Sequence, residues 1–144
     1  MRNDPRRRDL ANYAWTLEVP TRFEDMDPNR HLNNVAVMRL FEETRVRFNW
    51  KLRASHPDIG HPHFLVGHAS VDYLAEGEYP TLATMGYAVL SIGTSSFRVG
   101  KGLFQKGKCV ALCDTVMVHR GETTPTAPIP PALRSALEAF PLKG

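Results

Sequence analysis

In the stretch Arg22-Phe23-Glu24-Asp25-Met26-Asp27-Pro28-Asn29-Arg30-His31-Leu32-Asn33-Asn34, carboxylates and a histidine stand just ahead of a segment with helical periodicity. A helix N-terminus presents unpaired backbone N–H groups and the positive end of the macrodipole, so an oxyanion forming there is stabilised without a cationic side chain. An aspartate carboxylate in front of it can attack an electrophilic carbon or take a proton from water. One short segment can therefore supply a base or nucleophile and an oxyanion site. That pairing suits acyl transfer. The plainer reading is that Asp25, Asp27 and Asn29 shape a turn and that Asn33 or Asn34 caps the helix.

The elements that must position these residues are legible in outline. Tyr13 to Phe23, rich in aromatic and β-branched residues, predicts a strand, and Pro20 within it predicts an edge or a bulge. From Asn34 to about Arg53 the pattern is helical, with Val37, Met38, Phe41, Val46 and Phe48 on one face. Arg39, Glu43 and Arg47 follow at i, i+4 on the other. Residues 54–63 read as a loop, and strands are predicted at 64–74, 80–92, 95–105 and 108–120, the last three joined by hairpin-length connections. One long helix followed by an antiparallel meander is an α+β plan in which the helix covers the apolar face of a curled sheet. Thr123 to Pro131 holds four prolines and predicts an extended tether, followed by a short helix over Ala132 to Phe140. The chain thus divides into a basic, flexible arm (1–12), a folded domain (13–120), and a tether with its helix (121–144).

At 144 residues with 42% hydrophobic and 23% charged residues, the composition is that of an ordinary globular protein. No apolar run approaches the roughly 18 residues of a membrane span, and no apolar stretch follows the N-terminal arginines as in a signal peptide, so a cytoplasmic protein without membrane contact is expected. The net charge of +3 sits mostly in residues 1–9, where four arginines face two aspartates. A terminal arm, rather than a basic binding surface, carries it, and no nucleic-acid partner is expected.

Further motifs extend the segment that carries the chemistry. Phe-x-Asp-x-Asp-Pro-x-x-His-x-Asn-Asn, followed by Phe41-Glu42-Glu43-Thr44-Arg45, resembles the opening of the 4-hydroxybenzoyl-CoA thioesterase-like hotdog family of acyl-CoA thioesterases. The likeness continues through Asp72-Tyr73-Leu74-Ala75-Glu76-Gly77-Glu78, Ser91-Ile92-Gly93-Thr94-Ser95-Ser96-Phe97 and the alternating strand from Ala111 to Val118, covering roughly residues 14 to 120. The resemblance implies a hotdog fold, a sheet wrapped around one long helix, and hydrolysis of an acyl-CoA thioester without metal or prosthetic group. It implies Asp27 as nucleophile or general base and the Asn34 amide as the polarising donor. It also implies a homodimer, or a homotetramer, with the site between subunits. His31 either donates to the acyl carbonyl, orients Asp27, or packs against the helix start. Two positions depart from the pattern: Arg30 stands where relatives usually carry glycine, and Val37 where many carry tyrosine. Alternative readings keep the fold but make the substrate an acyl carrier protein thioester, or make the chain a non-catalytic acyl-CoA-binding module.

Other chemistry-bearing residues receive plainer expectations. Asn33, Thr94, Ser95 and Ser96 are candidates for substrate contact. Arg98, Lys101, Lys106 and Lys108 are candidate surface cations for coenzyme A phosphates. Glu42 and Glu43 fit a solvated helix face. His56, Asp58, His61, His63 and His68 have no established metal-ligand spacing, so no metal is expected. Cys109 and Cys113 lie four apart in a predicted strand, about 13 Å, whereas a disulfide needs Cα atoms within about 7 Å, so both are expected as free thiols.

Overall fold

In the computed structural model, which describes residues 3–144, the predicted helix and meander are present with shifted ends. The chain runs through β1 (Trp15–Val19), α1 (Asn34–Ser55), β2 (His63–Tyr73), β3 (Ala83–Ile92), β4 (Ser96–Gln105), β5 (Lys108–Arg120) and α2 (Pro131–Glu138). The strands form one antiparallel sheet in the order β1-β3-β4-β5-β2. The sheet curls around α1, the hotdog arrangement that the resemblance implies. β1 ends at Val19, directly before Pro20, and lies at a sheet edge where the missing N–H of a proline costs no ladder bond.

Helix α1 begins where its cap permits, since the Asn33 side chain accepts the N–H of Ala36 at 2.8 Å. Its buried face runs through Val37, Leu40, Phe41, Thr44, Phe48 and Leu52. Val46, expected on that face, lies instead beside it: with Trp50 it lines a groove on the helix flank. The N-terminal half of α1 packs on Val19, Met85, Leu103 and Ala111, and the C-terminal half on Tyr87, Val89, Phe97 and Met117. Phe48 stacks on Tyr87 with ring centroids 3.8 Å apart.

Part of the segment expected as a flexible arm is seen folded onto the sheet. Met1 and Arg2 lie outside the described residues, but Pro5–Arg8 and Leu10–Asn12 form two short 3-10 turns capped by Asp4 and Asp9. They pack on the sheet face opposite α1. Arg7 is fully buried there, with Nη1 2.6 Å from Asp114 Oδ1. The Tyr13 hydroxyl donates to the Arg7 carbonyl at 2.8 Å, and burial pushes that hydroxyl up to about 12, so it remains a donor. Gly86 makes the approach feasible, because a Cβ there would sit 2.6 Å from the Tyr13 ring. Buried charge and aromatic contact, rather than net charge, decide where the arm goes.

The tether after β5 also packs down. Ile129 N–H donates to the Thr94 carbonyl at 2.8 Å, Val89 N–H to Phe140 at 2.7 Å, and Lys143 N–H to Asn12 at 2.8 Å. Leu133 and Leu137 of α2 are buried against the C-terminal half of α1 and its sheet partners.

Candidate active site

The segment between β1 and α1 is organised by its two aspartates in different ways. Asp25 is buried, and its carboxylate accepts the Arg22 N–H at 2.8 Å and Arg39 Nη2 at 2.6 Å. Burial pushes its carboxyl up, but the bonds from Arg39 and Arg22 outweigh it and hold the group below the usual carboxylate range. Asp25 is thus an ion-paired anchor tying the loop to α1.

Asp27 closes a tight turn. Its Oδ1 accepts the N–H of Asn29 at 2.8 Å and of His31 at 3.0 Å, while its own N–H donates to the His31 carbonyl at 2.7 Å. The turn passes through Arg30 at φ 69°, the left-handed region that favours glycine. A glycine, which the resemblance implies at that place, adopts this conformation without strain. Among the described residues the second carboxylate oxygen of Asp27, Oδ2, has no hydrogen-bond partner. Turn former and free carboxylate oxygen coexist in one side chain.

The start of α1 leaves donors open beside this turn. Ala36 N–H is taken by the Asn33 side chain and Val37 N–H by the Asn33 carbonyl. Among the described residues the N–H groups of Asn34 and Val35 have no partner. A groove of about 340 Å³ opens here, lined by Arg22, Asp25, Asn33, Asn34, Val35 and Arg39. Phe23 and Val35, 72% and 80% exposed, give its surroundings an apolar character. Val35 was missed as a donor because its side chain carries no signal for a backbone role.

The remaining candidates are placed as follows. The His31 imidazole meets the loop after β2, its Nδ1 lying 2.8 Å from Glu76 Oε2. Thr94, Ser95 and Ser96 are not brought to Asp27 within one chain. Gln105, at the other end of β4, bonds Glu78, which bridges His31; Ser96 is nine residues away along the strand, about 30 Å. The carbonyls of Thr94, Ser95 and Ser96 accept backbone N–H groups from Ile129, His119 and Gly93. Glu42 pairs with Arg45 at 2.8 Å, and that hydrogen bond lowers its pKa; Glu43 reaches Arg39 and Arg47 at 3.5 and 3.4 Å. Cys109 and Cys113 are free thiols whose burial pushes both up, which disfavours thiolate chemistry. Among the described residues, no three of His, Cys, Asp and Glu converge as a metal site would need.

Lys101 is a correction. Expected as a surface cation, it is 1% exposed, paired in register with Tyr87 and Cys113, and has no hydrogen bond from its amine among the described residues. Burial lowers its pKa from the ordinary 10.5. The unfolded chain therefore binds more protons than the folded one between the lowered value and 10.5, so this group makes stability rise with pH across that window. Lys101→Met is expected to stabilise the protein by about 1–3 kcal/mol at pH 7, with a smaller gain at about pH 10. Urea melts of both proteins at the two pH values check it, and a destabilised variant in the neutral buffer would contradict it.

The chain matches the model of the thioesterase-like superfamily over residues 21–137. It is similar to the PA5185 protein of Pseudomonas aeruginosa strain PAO1, with 27% identity over 94% of this chain and 96% of that one and a TM-score of 0.77. A Thermus thermophilus thioesterase crystallised with coenzyme A and Zn is also 27% identical, over 89% and 95% of the two chains, with a TM-score of 0.75. A predicted thioesterase from Bacillus stearothermophilus, 23% identical over 90% and 98%, shares the fold at a TM-score of 0.79. No curated protein matches. With a curled sheet around one helix and this family match, the chain belongs to the thioesterase-like superfamily: it is a hotdog-fold thioester hydrolase. No described helix is long and apolar enough to cross a membrane.

Proposed function

We propose that this protein hydrolyses an acyl-CoA to a carboxylate and free coenzyme A, with Asp27 as general base or nucleophile and the helix-start amide of Asn34 as oxyanion donor. The observation that carries the reading is the free Oδ2 of Asp27 in the same short segment as the unpartnered N–H groups of Asn34 and Val35. In the general-base route, water oxygen bonds to the acyl carbon and gives its proton to Asp27, while the carbonyl oxygen takes negative charge facing the amides. The C–S bond then breaks with its electron pair on sulfur, and the thiolate takes up the proton. In the nucleophilic route the Asp27 carboxylate bonds to the acyl carbon and the C–S bond breaks to release the thiolate; water then hydrolyses the resulting anhydride to the carboxylic acid and restores Asp27, and the proton released goes to the thiolate. The coenzyme A seen with the Thermus thermophilus relative supports the substrate class.

A homodimer, or a homotetramer built from it, fits the open outer edge of the 11-residue strand β2, with Leu65 and Trp50 half exposed nearby. In such an assembly a partner's Thr94, Ser95 and Ser96, far from Asp27 in their own chain, are available to the substrate. We assign the protein to the cytoplasm on the same reading.

The test is thiol release by the purified protein across short, long and aromatic acyl-CoAs. Turnover of any member supports the reading. Saturable binding of acyl-CoA without turnover of any member would overturn it.

A further inference from the structure

Two loops at the site end of the molecule are tied together by their backbones. Leu32 N–H donates to the Gly77 carbonyl at 2.8 Å, Tyr79 N–H to that of Arg30 at 3.4 Å, and His31 and Glu78 form an antiparallel bridge. Behind them the buried Gln105 side chain accepts from Glu78 N–H at 2.8 Å and donates to the carbonyls of Glu78 and Thr81 at 2.9 and 3.0 Å. Gly77 lets the loops close, because a Cβ there would lie 2.7 Å from Leu32 Cδ1. This frame delivers Glu76 Oε2 to 2.8 Å from His31 Nδ1.

An exposed pair of this kind adds little to stability. What it adds here is geometry, since both backbones are already held. A carboxylate only accepts, so the hydrogen of a neutral His31 ring sits on Nδ1 and the lone pair on Nε2. The backbone N–H of His31 donates to Asp27 Oδ1 at 3.0 Å, which places the imidazole and the candidate carboxylate on one turn. We infer that Glu76 is a positioning residue, holding the His31 imidazole as its Nδ1–H tautomer so that Nε2 accepts a hydrogen bond from the water that attacks the thioester beside Asp27. This rests on the thioesterase reading above. The water keeps its second hydrogen for the carboxylate and its lone pair for the acyl carbon.

The test combines kinetics with ¹⁵N spectra of the His31 ring in the full chain. Glu76→Ala should move neutral His31 away from the Nδ1–H tautomer and lower kcat roughly tenfold with KM within about twofold; His31→Gln should lower kcat about a hundredfold. The double variant should be no slower than His31→Gln alone, and Glu76→Gln, which keeps an acceptor oxygen, should restore most of the rate. Glu76 is exposed, and unchanged thermal melts show that the variants fold. Nδ1 without a hydrogen in the wild type, a tautomer shift with no change in kcat, or independent multiplication of the two losses would overturn the inference. A wild type that turns over no acyl-CoA would instead sink the thioesterase reading, and the ring spectra would then decide by themselves whether Glu76 holds His31.

Discussion

Asp27→Asn is expected to slow thiol release at least a hundredfold, roughly 3 kcal/mol of barrier, while the protein melts at the wild-type temperature. Asparagine is the informative replacement because of how Asp27 is held. Oδ1 accepts two backbone N–H groups, from Asn29 and His31, and an amide oxygen accepts them equally well. The turn therefore orients the amide with its oxygen inward, and the NH2 falls where Oδ2 stood. Nothing changes in the loop except that the free oxygen, its charge and its ability to take a proton or attack carbon are gone. Alanine would remove the turn bonds as well and mix folding with chemistry. Kinetics of the variant on any acyl-CoA the wild type accepts, read beside its melting curve, check the prediction. A variant within threefold of wild type would show that Asp27 only builds the turn.

The second large effect lies on the opposite face of the sheet and concerns stability. Arg7→Ala is expected to cost about 3–5 kcal/mol, because it leaves the buried Oδ1 of Asp114 without its cation. The same guanidinium also donates to the carbonyls of Lys101 and Cys113 at 3.5 and 3.3 Å, so two strands lose a shared clamp with it. Of this cost most is the stranded carboxylate rather than the worth of the pair. The paired change Arg7→Met with Asp114→Leu should therefore cost far less than the sum of the two single changes. Urea melts of the four proteins measure the coupling. Near-additive losses, or an Arg7→Ala protein within about 1 kcal/mol of wild type, would mean that the N-terminal segment merely rests on the sheet.

These two sites differ in how far the sequence reveals them. The Asp27 turn and the Asn33 cap are made by partners two to four residues apart, so residue type and spacing alone predict them. The faces of α1 follow in the same way, apart from Val46. Arg7 and Asp114 are far apart in the chain, and nothing local distinguishes Arg7 from Arg6 or Arg8, which remain exposed. Lys101 is an intermediate case. Phe97, Val99 and Leu103 of β4 pack in the clusters with α1, and Lys101 shares their parity. That parity is readable in the sequence, but the expectation that a lysine reaches water overrides it.

By itself the sequence determined the α+β plan, the segment that carries the carboxylate, and the helix start beside it, because backbone periodicity, caps and turns are short-range. Only the tertiary structure decided that Arg7 of the N-terminal segment meets Asp114 and that His31 Nδ1 meets Glu76. It also decided that Thr94, Ser95 and Ser96 lie a strand's length from the Asp27 turn of their own chain. Each of these depends on strand register and on which loops meet at one end of the sheet. Such contacts form when the whole sheet closes around α1, and no window of neighbouring residues contains them.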